Sequence, residues 1–233
     1  MVHIFDVDHT VINKLSAWHF MREALNGGVI RFSMIRRLPF DLIKYKIGRP
    51  DVDFIENTVK KLAGIEKSDL ERIAEVCFER RIKGDIYIGA ARLIREAQQR
   101  GERVIFATSS LNVMIRPLER FFGIEGSLAS ALEFCDGKTT GALAGYSFFG
   151  LKKKTAAEEW LKQNNLRPEE ACFYSDSYTD IPLLEYCGRP VAVNPDRVLA
   201  RKAKSRGWEI LRFKGVMGKG KMNRYNDSFL SEP

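Results

Sequence analysis

The sequence predicts an α/β fold: a three-layer core around a parallel sheet, with an all-helical segment inserted after the first strand. Three observations carry this. From residue 89 onward, helical periodicity alternates with short apolar runs, the pattern of a parallel sheet with right-handed crossovers. Residues 13–86 contain no convincing strand. Three apolar runs each end in a polar or acidic cluster, as expected where strands deliver functional groups to the carboxyl edge of an open parallel sheet.

The elements follow in order. Val2 to Phe5 is an apolar run leading into Asp6 and Asp8, with Thr10 behind them. Ala17–Leu25, Asp51–Leu62 and Ser68–Lys83 read as helices, the last opened by the capping-box pattern Ser68-Asp69-Leu70-Glu71. Arg31–Ile47 is helical in character and is broken or started at Pro39. Gly89–Arg100 is a helix stopped by Gly101, followed by the strand Arg103–Thr108 and a helix over Leu111–Phe122. Ser127–Gly145 reads as extended, with Asp136-Gly137 as a hairpin turn. Then come a helix over Lys153–Asn164, the strand Ala171–Ser175, a short helix over Asp180–Tyr186, the strand Pro190–Asn194, a helix over Asp196–Arg206 and the strand Trp208–Phe213. The expected organisation is a core from residues 1–12 and 87–215, an α-helical domain over 13–86, and a loose basic tail over 216–233.

Composition narrows the class. The 233 residues are 45% hydrophobic and 29% charged, an ordinary globular balance. The roughly 20 consecutive apolar residues needed to span a bilayer are absent, and the N-terminus does not read as a secretion signal, so a cytoplasmic location is expected. Cys77, Cys135, Cys172 and Cys187 form no C-x-x-C pair and read as reduced core cysteines rather than a disulfide or zinc framework. His3, His9 and His19 lack metal-ligand spacing. The net charge of +8 is dispersed in short groups: Arg36-Arg37, Arg80-Arg81, Lys152-Lys153-Lys154, and Lys214, Lys219, Lys221 and Arg224 near the end. That dispersal fits nucleic acid, a membrane surface or an anionic small molecule equally. No RNA-recognition motif or basic stripe with interleaved aromatics is visible, so no nucleic-acid partner is expected.

The chemistry-bearing residues are Asp6-Val7-Asp8-His9-Thr10, Thr108-Ser109-Ser110, the lysines 152–154, and Ser175-Asp176-Ser177-Tyr178-Thr179-Asp180. Asp6 and Asp8 are two apart, so in an extended segment they point the same way. Ala156, Ala157, Trp160 and Leu161 fall three, four, seven and eight residues after Lys153. This places Lys153 on the inward helix face, with Lys154 as second choice and Lys152 toward solvent.

In this order the four groups resemble the motifs of the haloacid dehalogenase superfamily, and the helical insertion, Pro190-Val191-Ala192-Val193-Asn194-Pro195-Asp196 and the Trp208-Glu209-Ile210-Leu211 ending resemble its phosphoserine-phosphatase-like branch. The likeness covers residues 1 to about 213. It implies a Rossmann-like core under a helical cap and a Mg²⁺-dependent phosphatase for a small phosphate monoester. Asp6 is then the nucleophile that carries an aspartyl-phosphate. Asp8 is the general acid and then base. Thr108, Ser109 and Lys153 bind the phosphate, with the Ser109 and Ser110 N–H groups adding to that. The metal falls to Asp6, Asp176 and the Asp8 carbonyl, with Asp180 acting through water. His9 stands where many relatives carry a small residue; substrate contact is one reading and a structural or solvent-facing role the preferred one, and the Tyr178 side chain is expected to pack.

The insertion sets the leaving group. Phosphoserine-specific relatives carry a glutamate soon after the first motif. This chain has Leu15-Ser16-Ala17-Trp18 there, with Glu23 as the nearest acid, which weakens phosphoserine as substrate. The stretch from Val29 to Ile47 is apolar with interleaved Arg and Lys. Its plainer reading is a packed helix. Its sharper reading is a surface meeting anionic lipid, with a phospholipid or lysophospholipid phosphate as substrate. Arg36, Arg37, Arg49, Arg80 and Arg81 are then candidate anion contacts. The alternative of another class is a non-enzymatic basic binding module.

Overall fold

A computed structural model describes residues 1–31, 54–124 and 126–218. The helix expected from Arg31 to Ile47 beyond Arg31 itself, Arg36, Arg37 and Arg49, the start of the helix expected from Asp51, and the tail beyond Gly218 lie outside the described residues. The tail expected to be loose from residue 216 is held at its start: Val216 is buried, and the Met217 and Gly218 N–H groups donate to the Ile86 and Gly84 carbonyls at 2.9 and 2.8 Å.

Six strands form one all-parallel sheet: β1 (Val2–Phe5), β2 (Arg103–Leu111), β3 (Ser127–Ser130), β6 (Ala171–Ser175), β7 (Arg189–Val193) and β8 (Glu209–Leu211), in the order β3-β2-β1-β6-β7-β8. The strand runs are short and rich in Val, Ile and Phe, as a sheet covered on both faces requires. Period-two alternation divides them. Phe5, Val104, Phe106, Tyr174, Val191 and Val193 enter one apolar cluster, while Val2, Ile4, Ile105, Ala107, Phe173 and Ala192 enter the other. On the first face pack α4 (Ile88–Gln99) and α5 (Asn112–Phe122). On the second pack α6 (Leu151–Gln163), α7 (Ile181–Tyr186) and α8 (Arg197–Arg206). The expected α/β three-layer core is what forms.

The stretch from residue 127 divides in two. β3 joins the main sheet beside β2, whereas β4 (Leu132–Cys135) and β5 (Lys138–Leu143) form a separate antiparallel hairpin. Its turn is Asp136-Gly137, with φ of 50° and 79°. Positive φ at both central residues matches the twist of a two-residue hairpin, and Asp-Gly tolerates it. Cys135, expected in the core, is instead exposed at the end of β4, because that hairpin stands apart from the main sheet.

Between β1 and α4 the described chain is helical: α1 (Ser16–Asn26), α2 (Phe54–Lys60) and α3 (Lys67–Cys77). The run expected to continue to Lys83 instead widens to a π-turn over Phe78–Ile82 and closes with a helical turn over Lys83–Asp85. The expected capping box does not form. The helix begins one residue earlier, with Glu66 at the N-cap and no side-chain cap. Tertiary contact sets that start: Glu66 bridges to Lys138, and the Lys67 N–H donates to the Gly137 carbonyl at 2.8 Å. The hairpin turn thus fixes the chain's entry into α3, leaving Ser68 inside the first turn. The chain enters and leaves this helical segment through two paired linkers. Asn13 N–H donates to the Asp85 carbonyl at 2.8 Å, Tyr87 N–H to the Val11 carbonyl at 2.9 Å, and Ile12 bridges Ile86. Phe20, Val59, Leu70 and Ile73 of the segment join the same apolar cluster as the first sheet face. No helix among the described residues is long and apolar enough to cross a membrane.

Phe173 is fully buried on the central strand β6. Phe173→Ala is expected to lower unfolding free energy by about 3–5 kcal/mol, through lost transfer energy and the cavity left behind. Denaturant titration followed by circular dichroism measures this.

Candidate active site

Register brings the acids together. β1 and β6 run parallel with Phe5 opposite Tyr174, and the Asp6 N–H extends that ladder by donating to the Tyr174 carbonyl at 2.9 Å. Asp6 and Asp176 therefore leave the carboxyl ends of adjacent central strands. Two more groups join from that edge: Lys153 on the first turn of α6 and Asp180 just before α7.

The lysine sits at the centre. Lys153 Nζ donates to Asp6 Oδ1 at 2.9 Å and to Asp180 Oδ2 at 2.7 Å, with all three residues buried. Ser175 Oγ also donates to Asp180 Oδ2, at 2.7 Å. The choice among the three lysines resolves by geometry. Lys154 pairs with Glu158, and Lys152 lies over the Tyr146 ring. The helix places Lys153 with Ala156, Ala157 and Leu161 on its buried side.

Electrostatics follow from burial. Burial pushes the Asp6 carboxyl up to about 7, with Asp180 and Asp8 adding repulsion and Lys153 opposing it. Burial also raises Asp176 well above the carboxylate range, aided by Asp6 and Asp180. For Lys153, burial alone would favour the neutral amine. Asp180 and Asp6 outweigh it, and the ammonium is held charged above its ordinary range.

Asp8 has a clamp that sequence reasoning missed. Its Oδ1 accepts from the Ser16 N–H at 2.7 Å, and its Oδ2 accepts from Ser110 Oγ at 3.1 Å and Ser16 Oγ at 3.2 Å. The two serine hydroxyls also bond each other, at 2.8 Å. Asp8 is thus held between the first residue of α1 and the end of β2. Burial still raises its pKa, against the lowering pull of Ser16, His9 and Ser110. Ser16 carries no local signal, because its partner lies eight residues away across a turn.

Thr108 differs from expectation. The cavity wall at the end of β2 is formed by Ser109, Ser110 and Leu111. Thr108 lies behind them, buried, with its hydroxyl accepting the Ser110 N–H at 3.2 Å. That N–H, expected to face phosphate, is engaged within the loop. The β2–β3 register breaks between Thr108 and Leu111, which frees the serines from the ladder. His9, expected to be structural or solvent-facing, adopts φ 62° and lines the cavity. Tyr178 packs against the second apolar cluster, as expected. Asp196, read only as a helix start, caps α8. It also accepts the Tyr178 N–H at 2.7 Å, while its own N–H donates to the Asp176 carbonyl at 2.9 Å. It ties down the acidic loop.

Asp6, Asp8, Ser109, Ser110, Lys153, Asp176 and Asp180 surround one end of a cavity of about 150 Å³ between the sheet edge and the helical segment. Fold and site together define an α/β enzyme working through clustered buried carboxylates and a buried lysine.

Comparison makes the class particular. The haloacid dehalogenase-like hydrolase model matches residues 4–185, and the chain belongs to that family. It is 30% identical to a histidinol-phosphatase of Neisseria meningitidis over 91% of this chain and 98% of that protein. To a phosphoserine phosphatase of Mycobacterium tuberculosis it is also 30% identical, over 90% of this chain and 70% of that protein. Among solved structures, a Bordetella pertussis protein of unknown function superposes with a TM-score of 0.81 at 27% identity, covering 90% of this chain and 97% of that one. A substrate-bound phosphoserine phosphatase superposes at 0.65 and 20% identity, over 90% and 91%, which speaks to fold alone. The expected haloacid dehalogenase-type phosphatase family is borne out.

Raised carboxylate pKa values set the pH dependence of metal-free stability. The folded state keeps protons on Asp6 and Asp176 that the unfolded chain releases above about pH 4. Their contribution is therefore present in acid and is lost as pH rises through about 7. His3 and His19, lowered by burial, act in the opposite sense. The clean measurement is the difference between wild type and Asp6→Asn by urea titration with chelator. Wild type is expected to lose stability relative to the variant between about pH 4 and 7.

Proposed function

We propose that the chain is a Mg²⁺-dependent phosphatase that hydrolyses a small phosphate monoester through an aspartyl-phosphate on Asp6. The observation that carries this is the buried Asp6–Lys153–Asp180 bridge at the carboxyl edge of the sheet, beside Asp176. As they ionise, the four acids around one ammonium put net negative charge where a phosphate dianion must approach.

The residues fit a hard cation. Asp180 Oδ1 is buried without a hydrogen-bond partner, and Asp176 is raised by burial and by its acidic neighbours. Oxygen donors of this kind suit Mg²⁺. Among the described residues no three acids, histidines or cysteines already converge as a cage. That agrees with Lys153 drawing Asp6 and Asp180 toward itself. Asp6 and Asp176 would hold the ion by side chain and Asp8 by its carbonyl, with Asp180 behind them. When bound, Mg²⁺ supplies the positive charge that lets a carboxylate meet a phosphate dianion.

The protein's own residues do the rest. Lys153 holds Asp6 Oδ1, leaving Oδ2 to attack phosphorus. The Oδ2–P bond forms, the bond from phosphorus to the alcohol oxygen breaks, and Asp8 gives its proton to the departing alcohol. A raised pKa keeps Asp8 able to carry that proton near neutrality. Ionised Asp8 then takes a proton from water, which attacks phosphorus and releases phosphate from Asp6. Ser109 and Lys153 meet the phosphate oxygens. Thr108 shapes the serine loop by accepting the Ser110 N–H, which leaves its own hydroxyl proton to donate. Residues 13–86 act as a cap over the cavity that excludes water during attack.

Asp6→Asn is expected to cut steady-state phosphate release roughly 10³-fold or more with the fold intact by circular dichroism, and chelation of Mg²⁺ to abolish turnover. Persistent turnover in either case defeats the reading. Ser16→Ala removes a donor that stabilises ionised Asp8, so Asp8 should keep its proton to higher pH. The alkaline limb of the kcat/KM profile is then expected to move upward in pH; a downward shift would show that Asp8 is not the acid.

A further inference from the structure

The half of the cavity facing the carboxylates carries information about the alcohol that leaves. Phe20 and Met21 of α1, Ile55 and Val59 of α2, Met114 of α5 and Phe149 line it. Phe20, Met21, Val59 and Met114 are buried, so these walls are packed rather than free to swing away. They come from three helices and the loop before α6, and among the described residues His9 and Thr58 are polar members of the same lining.

The polar side of α1 is occupied elsewhere. Ser16 holds Asp8. His19 Nε2 bonds Asp85 at 2.9 Å. Glu23, the nearest acid after the first motif, is buried against Arg81 at 2.5 Å, with Arg80 at 3.7 Å. None of His19, Glu23, Arg80 and Arg81 lines the cavity. Glu23, the residue that could neutralise a substrate ammonium, is thus already neutralised within the protein.

Resting on the phosphatase reading above, we propose that the substrate is a phosphomonoester whose alcohol is apolar and uncharged next to the ester oxygen: a short alkyl or single-ring aryl phosphate. An ammonium or carboxylate one or two bonds from that oxygen would be pressed against Phe20, Val59 and Met114 and stripped of water, a costly transfer without a partner. An apolar group gains from the same walls. Because the cavity of about 150 Å³ includes the carboxylate end, it bounds the alcohol from above: a dry apolar cavity of that volume accepts a benzene-sized group and no more.

The test is a panel with Mg²⁺, read by free phosphate: methyl, propyl, butyl and phenyl phosphate against O-phosphoserine and histidinol phosphate. Each added methylene is expected to raise kcat/KM roughly fourfold until the cavity fills, with phenyl phosphate exceeding both charged esters by at least tenfold. Ile55 is half-buried, and Ile55→Asp is expected to lower kcat/KM for phenyl phosphate about tenfold, roughly the worth of an apolar contact in such a pocket. Calorimetric binding to Asp6→Asn with Mg²⁺ separates the two readings, because it needs no turnover. Tighter binding of phenyl phosphate than of O-phosphoserine supports the apolar pocket even if the wild type releases no phosphate, an outcome that would instead defeat the catalytic reading. Faster turnover or tighter binding of either charged ester than of every neutral one overturns the proposal and leaves the phosphatase reading standing.

Discussion

The site depends on one ammonium held between two carboxylates out of water. Lys153 bonds Asp6 and Asp180 within the protein, and each of the three residues is buried. Stripping three charges of water is expensive, and only their close mutual geometry offsets the cost. No member is stable there alone: an unpaired acid would take up a proton, and an unpaired lysine would lose one. The raised Asp6 shows that the balance is incomplete even with the lysine present. The cluster is short of positive charge by construction.

Such a cluster requires a scaffold that places side chains with little freedom. Central strands covered on both faces provide it. β1 lies between β2 and β6, so its last residues emerge where the chain's crossovers diverge to either side. Strict alternation sends Ile4 and Phe5 to opposite apolar clusters, so a one-residue slip would reverse every face. Packing thereby fixes where Asp6 and Asp176 emerge. Asp196 then pins the loop carrying Asp176 from the neighbouring strand end. Apolar burial on the sheet faces thus determines polar positions at the sheet edge.

What the sequence made legible follows the range of the interactions involved. Strands, crossover helices and the inward lysine depend on spacing of three, four or two residues, and Lys153 was recoverable from Ala156, Ala157 and Leu161 alone. The Asp136-Gly137 turn was legible because its backbone geometry depends on two adjacent residues. Where a partner lies far along the chain, local reasoning fails. Ser68 looked like a helix cap, but a hairpin about 70 residues later sets the start of α3 at Glu66. Ser16 was noted only as part of a stretch without the expected acid, because Asp8 reaches it only across the turn after β1. Thr108 was expected as a ligand from its likeness to the family's second motif; by itself it read as a helix cap. Which hydroxyl reaches the cavity is decided instead by the register break that turns Ser109 and Ser110 outward.

That break has a mechanical consequence. Asp8 accepts bonds from Ser16 on α1 and from Ser110 at the end of β2, so one carboxylate joins the helical segment to the sheet. The paired linkers at Asn13–Asp85 and Val11–Tyr87 restrain how that segment can turn, and Phe20 and Ile73 bury it against the sheet-face cluster. Movement of α1 away from β2 must lengthen bonds to Asp8 from one side or the other. Each bond favours the ionised carboxylate, so its loss shifts Asp8 toward the protonated form.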